Sequence, residues 1–341
     1  MKHSLQIGNL TVEPPILSAP MAGFTNYAYR EILRFLGGVG LIATEMVSAR
    51  SFVHLDAQGE GHPARLWGVQ KETRPLAVQI WDNEPDSLAE TGRRLVQEYQ
   101  VSVVDLNFGC PASKIMKKSS SGSYLLRNPQ KVGDLVARVV KVCRPTPVTA
   151  KIRLGLTADS INAIDVAQAV ESAGAAALTV HGRTAQQMYS GFADWNEIAR
   201  IKPFLKQIPL IGNGDIRTVE DAMDRLTHFA IDGIMIGRGG LESPWLFRQI
   251  AQAINGLPVD PEPTLKSQKQ LLLKHYSLVR KRFGDEKAVV LMRRYACNYA
   301  KHKPGARIFR NKISSAQNEE EFLKTVETFY PTDINDSKSI E

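Results

Sequence analysis

The sequence predicts an α/β fold, a (β/α)8 TIM barrel, followed by a small C-terminal bundle of helices. Three observations carry the prediction. Eight short runs rich in Val, Ile, Leu or Ala recur over about 240 residues. Each is followed by a longer stretch with helical spacing, and strands alternating with helices imply a parallel sheet, because parallel neighbours need a crossover connection. The last two runs end in glycine-rich turns, and in barrels of this kind the active site is built where the strands end.

In chain order the runs are ILSAP (16–20), GLIATEM (40–46), LAVQI (76–80) and VSVVDLN (101–107). PVTAKIR (147–153), AALTVHG (176–182), PLIGNGD (209–215) and DGIMIGR (232–238) follow. The strand-end rule brings Met21, Gln79, Asn107, Lys151, His181, Asn213 and Arg238 to one mouth. After the eighth unit PWLFRQI starts an apolar helix, and Gly256, Pro258, Pro261 and Pro263 then break it. Proline cannot continue a helix and pushes the residue before it towards extended geometry. The chain therefore divides into a barrel over 1–255 and a helical domain over 264–335. In the latter, LKSQKQLLLKHYSLVRKRFG, EKAVVLMRRYACNYAKH and EEEFLKTVETFY carry apolar residues at helical spacing. The polar end PTDINDSKSIE is expected to fray.

Composition is that of an ordinary globular chain, 43% hydrophobic and 23% charged, with no apolar run long enough for a membrane helix. The opening MKHSLQIGNLTVEPP lacks an apolar core of secretory type, so a leader is not expected. Three widely spaced cysteines support neither a disulfide framework nor a structural zinc site. A reducing cytoplasm is the simplest location. The formal net charge of +8 is local: residues 264–312 hold 14 Lys/Arg against 2 acidic residues. Such a segment can bind a polyanion by displacing its counterions, and that binding depends strongly on salt.

Four motifs carry chemistry. GNGD (212–215) and GRGG (237–240) end strands seven and eight, where barrels often hold a phosphate. Glycines let backbone N–H groups approach the oxygens, and Arg238 adds a fork of donors. Lys151 and Arg153 close strand five and are expected on opposite sides of it. Lys151 either neutralises a bound anion or pairs with a loop carboxylate. His181 either contacts a ligand or is a satisfied structural histidine. Cys110, in NFGCPASK, lies on a tight turn at the mouth. With Lys114, Lys117 and Lys118 nearby, its thiol is expected to have an altered pKa and to act as nucleophile or acid. Cys143 and Cys297 are expected to be buried and inert. The tract KKSSSGS (117–123) is expected to be a flexible, cationic loop. No Ser-His-Asp order, Walker loop, dinucleotide fingerprint or metal-ligand spacing stands out.

SAPMAGFTNYAYR, TEMVSA, LAVQI, DLNFGCPASK with SGSYLLRNP, AKIRLG, LTVHGRT, GNGDI and IMIGRGGLESPWLF, in this order, resemble the tRNA-dihydrouridine synthases, in detail the bacterial B-type. The resemblance implies an FMN enzyme that reduces specific uridines in tRNA to 5,6-dihydrouridine, with NADPH or NADH as reductant. Hydride would pass from flavin N5 to uracil C6, and Cys110 would supply the proton at C5. Pro20, Met21 and Ala22 would line the flavin ring, with Gln79 at its polar edge, Lys151 by its electron-accepting end and His181 also in contact with it. Asn213, Gly214, Asp215, Gly237 and Arg238 would hold the ribityl chain and phosphate. Asn107, Lys114 and Arg153 would meet the substrate. A uridine in folded tRNA must be extruded to reach such a pocket. The basic helical domain would grip the tRNA, with Tyr276, Tyr295 and Tyr299 as base-stacking or core residues. A monomer without metal is expected. Two rival readings share parts of this pattern: a flavin oxidoreductase acting on a free pyrimidine or other small molecule, and a tRNA-binding or folding factor on an inactive barrel.

Overall fold

The computed structural model describes residues 2–57 and 66–330. All eight runs become strands of one parallel sheet. They are β3 (Ile16–Ser18), a second strand split into β4 (Ile42–Ala43) and β5 (Val47–Ser48), β6 (Leu76–Trp81), β7 (Val103–Phe108), β8 (Val148–Arg153), β9 (Ala177–His181), β10 (Leu210–Asn213) and β11 (Gly233–Ile236). The hydrogen-bonded order is β3-β11-β10-β9-β8-β7-β6-β4, with β5 also on β6. The sheet closes on itself through a parallel bridge between Leu17 and Leu41 and through the Ser18 hydroxyl, which accepts from the Ala43 amide at 2.9 Å. Every residue of β7 is buried, as expected of strands with helices outside and side chains filling the barrel.

Ahead of the barrel, β1 (Leu5–Ile7) and β2 (Leu10–Val12) form an antiparallel hairpin. Sequence periodicity does not reveal it, because three-residue strands are too short to show an alternation. Leu5, Ile7 and Val12 join Leu17, Leu41, Ala77 and Ile211 in a cluster that closes the end opposite the mouth.

The helices around the barrel are α1 (Tyr27–Leu36), α2 (Ala49–Ala57), α3 (Pro85–Gln97), α4 (Pro129–Cys143), α5 (Ala163–Ser172), α6 (Trp195–Ala199), α7 (Val219–His228), α8 (Arg238–Glu242) and α9 (Leu246–Ile254). Their starts are legible. Asn26 accepts from the Tyr29 amide, Asn128 caps α4 ahead of Pro129, and Thr218 with Asp221 forms a capping box on α7.

Four further helices follow the proline-rich connection: α10 (Leu265–Phe283), capped by Thr264, then α11 (Asp285–Tyr299), α12 (Ala306–Ser315) and α13 (Glu319–Phe329). The bundle packs closely on the barrel. Tyr295 lies stacked on Tyr29 of α1 with centroids 6.0 Å apart, and its hydroxyl donates to the Phe24 carbonyl beside the mouth. Lys301 pairs with Glu242 of α8 at 2.5 Å.

Several open or mistaken expectations are decided. Tyr276, Tyr295 and Tyr299 are all core residues, so none offers a ring to RNA. Cys143 is buried, whereas Cys297 is only half-buried, its sulfur 3.5 Å from the Ser314 hydroxyl. The tract after Cys110 is a folded turn. Lys114–Lys118 form a π-turn, Gly122–Arg127 a 3-10 turn, and Ser121 and Ser123 are fully buried. Lys151 and Arg153 share one face of β8, since residues two apart in a strand point the same way; both line the mouth. The polar end, 331–341, lies outside the described residues.

Candidate active site

The strand ends enclose a cavity of about 460 Å³. Its lining includes the apolar residues Ala19, Pro20, Met21, Met235 and Leu241 and the polar residues Gln79, Asn107, Cys110, Lys151, His181 and Asn213. Gly214, Asp215, Gly237 and Arg238 line it too, as do Ala22 and Arg153. Of the site positions expected from the sequence, only Lys114 stays outside the lining; it is exposed on the rim turn.

Cys110 is half-buried. Its amide donates to Asn107 Oδ1 at 2.9 Å, and its carbonyl accepts from the Ser123 amide at 3.1 Å. Burial pushes the thiol above its ordinary value, and the Ala112 amide and the charges of Arg153 and Lys151 do not offset it. The relevant cations thus come from β8, not from the lysines of the following turn. A thiol held protonated is suited to give a proton rather than to attack.

Lys151 reaches Asn213 Oδ1 at 3.0 Å, and Asn213 Nδ2 donates to the Met235 carbonyl at 2.8 Å. Burial, with Arg153 beside it, lowers the Lys151 ammonium from 10.5 to about 8. Among the described residues it forms no ion pair with a loop carboxylate, which leaves it available to a negative charge arriving in the cavity. His181 is pushed well below 6.5 by burial, then by the charges of Lys151, Arg153, Arg183 and Arg238. It is therefore a neutral ring at pH 7, and its Nε2 lies 3.3 Å from Arg183 Nη1. Because an arginine N–H can only donate, Nε2 accepts and the ring proton sits on Nδ1.

Glycine is required at the glycine-rich end of the cavity. Gly214 has φ +136°, and a Cβ there would come within 2.4 Å of Ala193 Cβ; at Gly239 it would meet the Ile216 carbonyl at 2.2 Å. Asp215 has its own backbone in the left-handed region, φ +49°. Its carboxylate accepts from Arg183 and from the Ala193 amide, both at 2.7 Å, and from Arg238 at 2.9 Å. Burial would raise this carboxyl, but the Ala193 amide and Arg183 outweigh it and hold it below the ordinary value. Asp215 thus orients Arg238, whose guanidinium also lies 4.8 Å over the Tyr189 ring. Arg153 is nearly fully buried and donates to the carbonyls of Gly109, Thr184 and Met188, fastening the turn after β7 to the loop after β9.

Sequence reasoning missed Asp105 beneath the cavity, Arg183, and the rim residues Met188 and Tyr189. Arg183 stood within the quoted HGRT motif, but its role depends on carbonyls of 190 and 191 that no spacing reveals. Among the described residues no group of three or more His, Cys, Asp or Glu side chains is placed to hold a metal ion, and no helix is long and apolar enough to cross a membrane.

A parallel barrel whose strand ends line one cavity with a glycine-rich, cationic segment and a thiol defines a (β/α)8 protein with an enzyme-type mouth. Solved barrels share the architecture. Morphinone reductase in complex with tetrahydroNAD superposes with a TM-score of 0.52 at 15% identity, covering 75% of this chain and 91% of that one. The old yellow enzyme homologue from Zymomonas mobilis gives 0.54 at 15%, covering 76% and 94%. The family model for dihydrouridine synthase matches residues 17–335. The tRNA-dihydrouridine synthase B of Pseudomonas aeruginosa is 34% identical over 348 residues, 98% of each chain. A probable tRNA-dihydrouridine synthase of Mycobacterium tuberculosis is 34% identical over 321 residues, 91% of this chain and 81% of that protein. The chain belongs to the dihydrouridine synthase family and is an enzyme of that type.

Proposed function

We propose that this enzyme reduces specific uridines in tRNA to 5,6-dihydrouridine, with FMN in the mouth cavity and a reduced nicotinamide, NADPH or NADH, as electron source. The observation that carries the proposal is the pairing, on one cavity, of a protonated Cys110 thiol with an apolar slot ending in the Gly214–Asp215 and Gly237–Arg238 cradle. The residues fit the flavin chemically: Pro20 and Met21 offer apolar surface to a ring, and Arg238 and the glycine amides offer donors to a phosphate. Bound flavin, once reduced, supplies a hydride to the uracil C5–C6 double bond. Lys151 would stabilise negative charge along the ring's edge, and neutral His181 would donate from Nδ1. Asn107 would place the uracil, and Cys110 would deliver its proton to C5, leaving a thiolate that Lys151 and Arg153 lie close enough to stabilise.

The substrate is read as tRNA because exposed Arg294, Arg307, Arg310 and Lys312 give the helical bundle a cationic surface that a free pyrimidine does not need. A monomer acting in the cytoplasm is the matching expectation. Mapping dihydrouridine in tRNA from cells with and without the gene tests the reading. Loss of the base at defined positions supports it, and an unchanged map refutes it. A purified protein that binds tRNA but carries no flavin absorption would favour an inactive scaffold instead.

A further inference from the structure

Asp105 is a carboxylate inside an apolar strand of the barrel, buried below the mouth and absent from the cavity lining. Burying a carboxylate is costly unless it has partners, and its partners here form a chain. Its Oδ1 accepts from Thr149 Oγ1 and its Oδ2 from Gln79 Nε2, each at 2.7 Å. Gln79 is wholly buried, and its Oε1 accepts from Asn107 Nδ2 at 2.7 Å. Asn107 Oδ1 then accepts from the amides of Gly109, at 3.1 Å, and Cys110, at 2.9 Å.

We infer that Asp105 is a positioning residue: its two accepting oxygens set the direction of this chain and thereby fix the backbone that presents Cys110. The logic is one of polarity. An ionised carboxylate only accepts, whereas each amide side chain has a donor end and an acceptor end. With the nitrogen of Gln79 committed to Asp105, its oxygen must face Asn107. That commits the nitrogen of Asn107 and leaves only its oxygen for the two backbone amides. Reversing either side chain sets donor against donor or acceptor against acceptor in a buried site, where an unmade hydrogen bond is left uncompensated by water. The inference draws its importance from the reading of Cys110 as the acid, but the order of hydrogen bonds can be tested apart from that reading.

The test exchanges the charged end of the chain. In Asn107→Asp, residues 105 and 107 are both acceptors, and the oxygen of Gln79 must face one of them. In the double variant Asp105→Asn/Asn107→Asp the chain runs in reverse. Residue 105 donates to Gln79 Oε1, Gln79 Nε2 donates to residue 107, and the two amides keep their acceptor. The readout is the rate of Cys110 alkylation by iodoacetamide in flavin-free protein, with thermal unfolding alongside, so failure of the catalytic reading cannot mimic failure here. Rates are compared at equal thiolate fraction, taken from each protein's pH–rate profile, so that the new carboxylate's effect on the thiol cancels. The single variant should then raise alkylation by on the order of tenfold and lower Tm, and the double should return both towards wild type. If Asn107→Asp does not fold, a folded double variant supports the inference and an unfolded one overturns it. A double variant as perturbed as the single, or a single indistinguishable from wild type, also overturns it.

Discussion

Replacing Lys151 with methionine should make the flavin-free protein more stable at neutral pH while weakening its hold on flavin. The lysine's ammonium falls from 10.5 to about 8 because it is buried beside Arg153. At about 1.4 kcal/mol per unit, holding that charge in the flavin-free protein costs about 3 kcal/mol. Methionine keeps the stem and removes the charge, but it forfeits the 3.0 Å hydrogen bond to Asn213, worth about 1 kcal/mol. A net gain of about 2 kcal/mol remains. The sign follows from proton binding. Between pH 8 and 10.5 the unfolded lysine is protonated and the folded one is not, so its contribution to stability rises with pH across that window. The difference between wild type and variant should therefore shrink from pH 7 to pH 10, which cancels the titration of cysteines and tyrosines common to both. Chemical denaturation of flavin-free protein at the two pH values measures it. A variant less stable than wild type at pH 7, or a difference independent of pH, would show that Lys151 is not held at an electrostatic cost. The same residue would then have no stored demand for an anionic partner.

Other outcomes follow from the same geometry. Cys110→Ala should retain flavin and nicotinamide oxidation but lose most dihydrouridine formation; normal product levels would remove Cys110 from the reaction. Since the folded thiol lies above 9.0, the wild-type acid should stay protonated through pH 8 and fail only on a more alkaline limb, read from the pH profile of single-turnover product formation. Arg238→Ala removes a charge-assisted hydrogen bond of about 1.5–3 kcal/mol, so flavin should dissociate on dialysis on the order of tenfold or more faster; full retention would refute its phosphate role. Binding of tRNA should fall steeply with salt. Replacing exposed Arg307, Arg310 and Lys312 with serine should lower the log–log slope by about one for each phosphate left unneutralised, as measured by filter binding. Truncation before residue 264 is a poorer test, because it would uncover Tyr29 and the Phe24 carbonyl.

How much could be read without coordinates differs by residue type. The barrel was legible because its strands are short buried runs whose last residues must face the mouth, and Gln79, Lys151, His181 and Asn213 do so. Asp105 was not, because an acid within VSVVDLN carries no sign that Gln79 and Thr149 wait on neighbouring strands. The turn after Cys110 reads as loose from its serines. Yet Ser121 and Ser123 are buried, and their amides bond to the Ile115 and Cys110 carbonyls. Such closure depends on local backbone geometry, which composition does not encode. Cationic helices were legible as a surface, whereas the inward position of all three tyrosines depends on how the bundle meets α1.

That junction makes the bundle sensitive to acid. His275 of α10 is fully buried, with its ring 4.3 Å from that of Tyr295 and its Nδ1 2.9 Å from the Tyr299 hydroxyl. Among the described residues its Nε2 has no hydrogen-bond partner, and burial lowers its pKa from 6.5 to about 3. The folded ring is neutral, so below pH 6.5 the unfolded chain binds a proton that the folded one refuses. Stability must fall as pH drops through that window, by up to about 5 kcal/mol near pH 3. Because Tyr29 and Tyr295 pack in the same cluster, the bundle should loosen from the barrel as this contribution is lost. His275→Phe keeps an aromatic ring there without the titration. Its loss of stability between pH 6.5 and 4 should be smaller than that of wild type, with hydrogen exchange in α10 and α11 no longer accelerated by acid. Parallel acid profiles for the two proteins would mean that the junction tolerates a charged imidazole, and the packing account given for it would be wrong.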